Sequence, residues 1–481
     1  MTRPVHATIQ ESTILIRPGF PETDMRFSSL VRLIRSISCT LLLGWGGTTL
    51  AAPEEAVGVL EAVSTEAPGA WRIDGVNYLF ADGVPVPELG AGSVRQAGEA
   101  RIGEIVRVSY EQRDGIRLVG QVQLFGVDPE SIQDGPHLIW EDDTTATMVS
   151  IVDGEVIRTR HDGLVGRKVL TTPSRTVPSI EVSGMVRPDD SSWPDAERIL
   201  AVSDLEGNRG TFVEFLRGNG VVDEAGSWIW GDGHLVLNGD IVDRGPDVTE
   251  LLWMIRRLER EAQRAGGRVH YVLGNHESMV MAGDLRYIHP KYRFTSDRIG
   301  ETYDALHGPS SEIGRWLRSR NSVIGVGPFL FVHAGYSPAL DGLGLGMDEI
   351  NEAIRSGLGP PAWPAAARAD LRTGLIWHQQ GPHWYRGYFP QHAAQWGGRP
   401  SDEQIAAILE RHGADHVVVG HTLVDEIGWI DGRPTLIGID VAWRDPGEAA
   451  GLLFDGGELH RVDSAGRRTP LPRPVRIDEG E

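Results

Sequence analysis

The chain has 481 residues and a formal net charge of −21, with 67 acidic against 46 basic side chains. Hydrophobic residues at 40% and charged residues at 23% are ordinary globular values, which exclude a disordered, fibrous or coiled-coil protein. The length predicts two or three domains. The acidic balance argues against a nucleic-acid partner, because such a surface repels a phosphate backbone.

Residues 1–51 are typical of a targeting segment. Three arginines follow Met25, and a short apolar stretch runs from Cys39 to Leu50 before Ala-Ala-Pro. This order predicts an N-terminal extension with a cleavable signal peptide, translation from Met25, and a bacterial protein that is periplasmic or secreted. The stretch is too short for a permanent membrane span. A buried core helix is the alternative, but the flanking basic and small residues disfavour it.

Residues 53–130 have the pattern of a small all-β domain. Alternating stretches such as VGVLEAV, EIVRVSYEQ and RLVGQVQLF are separated by turns rich in Gly, Asp and Pro. The pattern resembles small OB-like barrels, and we expect a passive module. Residues 131–196 continue the strand pattern and end in a Pro- and Ser-rich stretch, which predicts a β-rich connecting segment and a linker.

An α/β domain is predicted over residues 197–465, followed by a tail at 466–481. The apolar runs ILAVS, HLVLN, VHYVL and DHVVVG each end in a polar loop that contains glycine. Amphipathic stretches follow several of them, for example 247–263. Open α/β sheets bind ligands beyond the carboxyl ends of their strands, and the polar clusters of this chain fall there.

Five motifs at strand ends carry metal-binding and acid–base side chains. The motifs SDLEGN, NGDIVDRG, GNHE, FVHAG and VVGHT contain Asp204, Glu206, Asp240, Asp243, Arg244, Asn275, His276, His333 and His421. Taken singly, a strand-end Asp is usually a helix cap, and a lone His is usually a core residue. Together they supply the carboxylate, amide and imidazole donors that a pair of divalent metals needs.

These strings resemble the calcineurin-like metallophosphoesterase superfamily, and within it the phosphoprotein phosphatase branch of the Shewanella-like type. The resemblance covers about residues 197–462 and includes FVHAGYSP at 331–338 and GPHWYRGY at 381–388. It implies a β-sandwich flanked by helices and hydrolysis of phosphomonoesters. The implied substrate is a protein phosphorylated on Ser/Thr or Tyr, a phosphopeptide or a small phosphoester.

The resemblance also implies a role for each site residue. The first of two divalent metals would bind Asp204 and Glu206, Asp240 would bridge both, and Asn275, His333 and His421 would complete the second. A metal-bridging hydroxide would be the nucleophile. His276 would protonate the leaving oxygen, with Asp243 orienting it, and the clamps on the phosphate oxygens would be Arg244 and Arg386.

One position departs from the family pattern. Glu206 stands where the family's first motif has a histidine, which makes the first site harder and favours manganese or magnesium over zinc. We expect manganese, with iron, zinc or magnesium as alternatives. Leu423 stands where the nuclease-like branch has a second histidine, and this favours the phosphatase branch.

Two other functions compete with a protein phosphatase. The first is a hydrolase of nucleotides or dinucleoside polyphosphates with the same fold. The second is a non-catalytic binding protein whose metal site Glu206 has disabled. The complete set of donors at the other positions speaks against the second, because a binding scaffold has no physical need for it.

Overall fold

The computed structural model describes residues 54–64, 69–73, 76–81, 84, 105–113, 115–124, 131–182, 186–359 and 370–474. They form two compact units, of which the first ends at Ile132 and the second begins at Gln133. The predicted signal segment, residues 1–51, lies outside the described residues. Within the described ranges, no helix is both long and apolar enough to cross a membrane.

The first unit is a closed five-stranded barrel in the spatial order β1-β2-β3-β5-β4. Its strands are β1 (Glu54–Ser64), β2 (Ala70–Ile73), β3 (Val76–Phe80), β4 (Ile105–Arg113) and β5 (Ile116–Leu124). Alternate side chains point inward, so that Val106 and Val108 of β4 are buried with Trp71 and Phe80. The barrel occupies the residues of the expected β module, and its OB-like interpretation stays a prediction.

The second unit combines strands and helices. Its strands are β6 (Asp134–Trp140), β7 (Ala146–Val152), β8 (Glu155–His161), β9 (Lys168–Thr171), β10 (Ser179–Val182), β11 (Ser192–Trp193), β12 (Arg198–Val202), β13 (His234–Leu237), β14 (Arg268–Tyr271), β15 (Val323–Val326), β16 (Phe329–Val332), β17 (His416–Val419), β18 (Gly428–Trp429), β19 (Leu436–Gly438), β20 (Ala450–Asp455), β21 (Glu458–Asp463) and β22 (Arg468–Pro470). Its α-helices are α1 (Arg209–Gly218), α2 (Val248–Arg264), α3 (Asn275–Met281), α4 (Pro290–Ile299), α5 (Tyr303–Leu306), α6 (Glu312–Leu317), α7 (Pro338–Asp341), α8 (Met347–Gly357), α9 (Pro390–Ala393) and α10 (Asp402–His412). Two 3₁₀ turns cover Ala394–Trp396 and Ile430–Gly432.

Two six-stranded sheets form the centre of this unit, in the orders β14-β13-β12-β20-β21-β22 and β11-β15-β16-β17-β19-β18. Strands β12, β13 and β14 run parallel, and so do β16, β17 and β19. Parallel strands end at a common edge, so the loops that follow them meet there. This geometry places the five motifs at one end of the sandwich.

The sheets pack face to face through alternate side chains of their strands. Ile199 and Ala201 of one sheet share a buried cluster with Phe329 and Phe331 of the other. The intervening residues of β16 face the opposite way, and Leu330 packs with helix residues such as Ile405. This period of two is what a strand between a second sheet and a helix layer requires.

Residues 133–182 belong to the second unit and do not form a separate connector. The strands β6, β7 and β8 form one antiparallel sheet, and β9 pairs with β10. The Thr249 hydroxyl donates to Asp134 over 2.8 Å, and Trp253 Nε1 donates to the Pro136 carbonyl over 2.7 Å. Helix α2 thus donates hydrogen bonds to a region that the sequence pattern predicts to be a connecting segment and linker.

The chain end also differs from the expected boundary at residue 465. Strand β22 pairs with β21, and Trp429 Nε1 donates to the Pro472 carbonyl over 2.8 Å. A strand of three residues with one proline carries too little pattern to be recognised from sequence. The described part of the predicted tail therefore extends the sheet that contains β12, β13 and β14, and residues 475–481 lie outside the description.

Candidate metal centre

The side chains that follow β13, β14, β16 and β17 form a compact donor group, here called the imidazole side: Asp240, Asn275, His333 and His421. Ligand atoms of Asp240, His333 and His421 all lie within 4.8 Å of one another. His333 Nε2 is 3.1 Å from Asp240 Oδ2 and 3.1 Å from Asn275 Oδ1. Four of the five motifs named in the sequence thus contribute one donor each to this group.

The orientation of His333 fits a bound cation. Its Nδ1 is 2.8 Å from the Asn238 carbonyl and donates there, so Nε2 faces the oxygens of Asp240 and Asn275. Two acceptor oxygens facing Nε2 require a positive charge, which a proton on Nε2 supplies without a metal and a divalent ion would supply on displacing that proton. Burial alone would lower the pKa of His333, but the Asp240 carboxylate outweighs it and raises that pKa to about 10.

His421 supplies a second sign that the donors fit a metal. Its Nε2 is buried and has no hydrogen-bond partner among the described residues. An orphaned buried nitrogen costs free energy unless an unseen partner, such as a metal ion, satisfies it. Imidazole nitrogens, a carboxylate and an amide oxygen suit manganese, iron or zinc. The donor set therefore fits divalent metal.

Asp204, Glu206 and Asp440 form the second part of the centre, here called the carboxylate side. Asp204 follows β12, and its Oδ2 accepts from the Ser203 hydroxyl at 2.5 Å and from the His421 amide at 3.1 Å. Burial raises the pKa of Asp204 to about 6. The Glu206 carboxylate forms an ion pair with Arg244. Its predicted role as a metal ligand therefore competes with its ion pair to Arg244, the predicted phosphate clamp.

His276 and Asp243 form a buried pair beside the metal donors. His276 Nδ1 lies 2.7 Å from Asp243 Oδ2, and its Nε2 is 3.4 Å from Arg244 Nη2. Burial opposes a charged ring, but the Asp240 and Asp243 carboxylates raise the pKa of His276 above its usual value. The ring is thus held with one nitrogen on Asp243 and the other directed toward Arg244, where a phosphate would lie.

Glu277 joins the loop after β13 to the start of α3. Its carboxylate accepts from the amides of Asp240, Ile241, Val242 and Gly274 and from the Tyr271 hydroxyl, at 2.7–3.3 Å. Glu277 is fully buried. It lies within the GNHE motif, but the sequence pattern alone assigns it no role. The structure shows that it fixes the backbone that carries Asp240.

The backbone of the site is strained. Eight non-glycine residues in the described ranges have positive φ, and six of them are Asp204, Glu206, Asp240, Asp243, Arg244 and His421. Each such conformation costs about 1–3 kcal/mol and persists only where the surroundings enforce it. Close packing contributes, since a Cβ on Gly274 would overlap Asp240 Oδ1 and one on Gly420 would overlap Asp204 Oδ2.

These side chains surround a cavity of about 760 Å³. Eight of the ten predicted site residues line it: Asp204, Glu206, Asp240, Arg244, Asn275, His276, Arg386 and His421. The other two, Asp243 and His333, are fully buried behind that wall. Arg386 Nη1 donates to Thr422 Oγ1 over 3.2 Å, which places it beside His421.

The cavity also contains residues that the motifs do not include. Tyr287 lies against His276 with a ring separation of 5.2 Å, and the guanidinium groups of Arg244 and Arg286 lie 5.6 and 5.5 Å from its ring centre. Asp440 follows β19 as an aspartate at a strand end, the same signal that identified the other carboxylates. Tyr287 has no comparable local signal, because it lies in a loop.

Comparison with known proteins gives consistent matches. The sequence profile of the calcineurin-like phosphoesterase family matches residues 197–425. An uncharacterized protein of Schizosaccharomyces pombe is 30% identical over 277 residues, covering 56% of this chain and 80% of that protein. Shewanella-like protein phosphatase 2 of Arabidopsis thaliana is 25% identical over 309 residues, covering 54% and 76%.

A solved structure matches as well. The crystal structure of a cold-active protein-tyrosine phosphatase from a psychrophilic Shewanella species has a TM-score of 0.64 and 30% sequence identity to this chain. The match covers 71% of this chain and 100% of that one. Because these relatives include eukaryotic proteins, a bacterial origin stays a prediction.

A two-sheet sandwich with carboxylate, amide and imidazole donors at one edge defines the class of metal-dependent phosphoesterases. This chain belongs to the calcineurin-like phosphoesterase family, in the branch of the Shewanella-like phosphatases. It is a phosphatase, which hydrolyses phosphoesters, and the family implies divalent metal ions.

Proposed function

We propose that the chain is a dinuclear-metal phosphoprotein phosphatase that prefers phosphotyrosine. The observation that carries the proposal is one cavity lined by metal donors, by two arginines and by His276, which is hydrogen-bonded to the buried Asp243. Tyr287, which is 43% exposed, and Leu423, which is 68% exposed, add apolar surface on which an aryl ring can pack. The names of two related proteins, a protein phosphatase and a protein-tyrosine phosphatase, support the same substrate class.

Two ions would be held by the imidazole side and the carboxylate side, with Asp240 between them. When bound, they would supply an activated water and Lewis-acid stabilisation of the phosphoryl group. Manganese is our proposal for their identity, because carboxylates make up so much of the donor set.

Side chains of the protein would bind the phosphate and transfer the proton. Arg244 and Arg386 both line the cavity and would bind the free phosphate oxygens. His276 holds a proton on its Nε2 and donates it to the leaving oxygen, while Asp243 fixes the ring through Nδ1.

Export stays a proposal from the sequence pattern, because the predicted signal lies outside the described residues.

His276→Asn tests this assignment. Turnover of a phosphoserine peptide, whose alkoxide leaving group needs the proton, should fall by roughly 10²–10⁴-fold. Nitrophenyl phosphate, whose phenoxide leaves unaided, should lose least, and phosphotyrosine should lie between the two. The experiment measures the rates on these three substrates and on a dinucleoside tetraphosphate. It also measures the manganese content of each protein by mass spectrometry.

His392→Asn, a change outside the cavity, is the matched control and should leave all rates unchanged. Equal slowing of the aryl and alkyl substrates by His276→Asn would contradict the proton-donor role, and loss of metal would show that His276 is a ligand. A wild-type preference for the dinucleoside tetraphosphate would favour the nucleotide-hydrolase alternative instead.

A further inference from the structure

Asp440 lies at the same edge of the second sheet as His421. Strand β17 pairs in parallel with β19, and Val419 lies opposite Gly438. His421 and Asp440 each stand two residues beyond those partners. The Val424 amide donates to the Asp440 carbonyl over 2.9 Å, which ties the loop of one to the loop of the other. The register therefore brings Asp440 to the metal centre.

The Asp440 carboxylate lacks a hydrogen-bond or ion-pair partner among the residues that the structure describes. Its side chain lines the same cavity as Asp204, the residue is only 7% exposed, and no described residue donates a hydrogen bond or an ion pair to that carboxylate. A buried carboxylate without such a partner is costly, and a second carboxylate nearby adds repulsion. A cation in the cavity would remove both costs.

The distribution of donors shows where that cation would lie. The imidazole side uses Asp240, His333 and His421, whose ligand atoms lie within 4.8 Å of one another, and Asn275, whose Oδ1 is 3.1 Å from His333 Nε2. Apart from the shared Asp240, this leaves Asp204 for a second ion, because Arg244 engages the Glu206 carboxylate. Asp440 is the carboxylate in the cavity that is both buried and unengaged.

We propose that Asp440 is an oxygen ligand of the first metal ion, beside Asp204, and that it serves there in place of Glu206. The proposal rests on the dinuclear function proposed above. Carboxylate oxygens are the donors that manganese and magnesium prefer. Asp204, Asp240 and Asp440 line one cavity, and their carboxylates would converge on a divalent ion and offset its charge. Water would fill the remaining positions.

Asp440→Asn and Asp440→Ala test this ligand role in the full chain. Calorimetric titration with Mn²⁺ should find two sites in the wild type, and both variants should weaken one of them by about 100-fold or more, beyond the 10–100-fold typical of indirect contacts. Without metal, Asp440→Asn should melt at a higher temperature than the wild type, because it removes an uncompensated buried charge. Its stabilisation by added Mn²⁺ should be smaller.

Glu448→Gln is the matched control, because Glu448 is an exposed carboxylate that lines the same cavity. An equal loss of Mn²⁺ affinity in this control would mean that the Asp440 variants weaken binding only by removing negative charge from the cavity. That result would overturn the proposal. If both Asp440 variants bind two Mn²⁺ ions as the wild type does, the ligand role fails and the dinuclear function stands.

Fewer than two Mn²⁺ ions in the wild type would overturn the dinuclear function and the Asp440 proposal together. Anomalous diffraction from Mn²⁺-soaked wild-type crystals is independent of the variants. It should place an Asp440 oxygen about 2.0–2.2 Å from the ion nearer Asp204, a normal metal–carboxylate distance. A longer separation would overturn the proposal.

Discussion

The imidazole side and the carboxylate side of the centre differ in how their donors are held. On the imidazole side, His333 contacts Asp240, Asn275 and the Asn238 carbonyl, so its ring is fixed before any metal binds. On the carboxylate side, Glu206 is paired with Arg244, and no described side chain forms a hydrogen bond or an ion pair with the Asp440 carboxylate. In the proposed dinuclear centre, one ion would thus have a preformed site, whereas the other would depend on carboxylates whose repulsion the ion itself relieves.

This difference has a consequence for metal loading. A preformed site loses little conformational entropy on binding, whereas a group of repelling carboxylates gains most of its stability from the cation. We therefore expect the imidazole side to bind its ion more tightly. The three changes below test the comparison, from the largest expected effect to the smallest.

Glu277→Gln should remove the support that both sides share. Glutamine keeps one acceptor oxygen but turns an amide group toward backbone N–H donors, so several charge-assisted hydrogen bonds are lost in a buried place. The free energy of unfolding should fall by about 3–5 kcal/mol, as for other broken buried charge networks. Urea denaturation of the wild type and the variant would measure this difference in the free energy of unfolding.

Glu410→Gln, on the exposed face of α10, is the control for Glu277→Gln and should change stability by less than about 0.5 kcal/mol. A similarly small change for Glu277→Gln would mean that the loop after β13 holds Asp240 without this carboxylate. The left-handed backbone at Asp240 would then need another explanation.

Asn275→Ala should weaken the imidazole side alone. It removes an amide oxygen 3.1 Å from His333 Nε2, and the affinity for the more tightly bound Mn²⁺ should fall about 10–100-fold. Added Mn²⁺ should then restore part of the activity. Asn208→Ala, at an asparagine in the same cavity whose amide bonds only backbone carbonyls, is the control. If Asn275→Ala instead abolished Mn²⁺ binding at the weaker of the two sites, the imidazole side would be the weaker site, contrary to our expectation.

The sequence predicts the imidazole side better than the carboxylate side, and the reason is physical. Asp240, Asn275, His333 and His421 each follow an apolar run directly, so a local pattern and the rule of parallel strand ends suffice. The Glu206–Arg244 pair depends on left-handed backbone at both residues, which no local pattern specifies. In the fold, the packing of Asp134 on Thr249 spans 115 residues and is likewise invisible to periodicity.

Glu206→Gln gives the smallest expected effect and decides what Glu206 does. If it positions Arg244, the loss of a partly exposed ion pair costs about 1 kcal/mol. Because Arg244 would bind the substrate phosphate, KM should rise about fivefold while kcat stays nearly constant. Both Mn²⁺ affinities should match those of the wild type, and Glu206→Asp should recover part of the change in KM. A 10-fold or larger loss at the weaker Mn²⁺ site would instead make Glu206 a ligand, as its place in the first motif implies, and the carboxylate side would then have a second donor besides Asp204 without any need for Asp440.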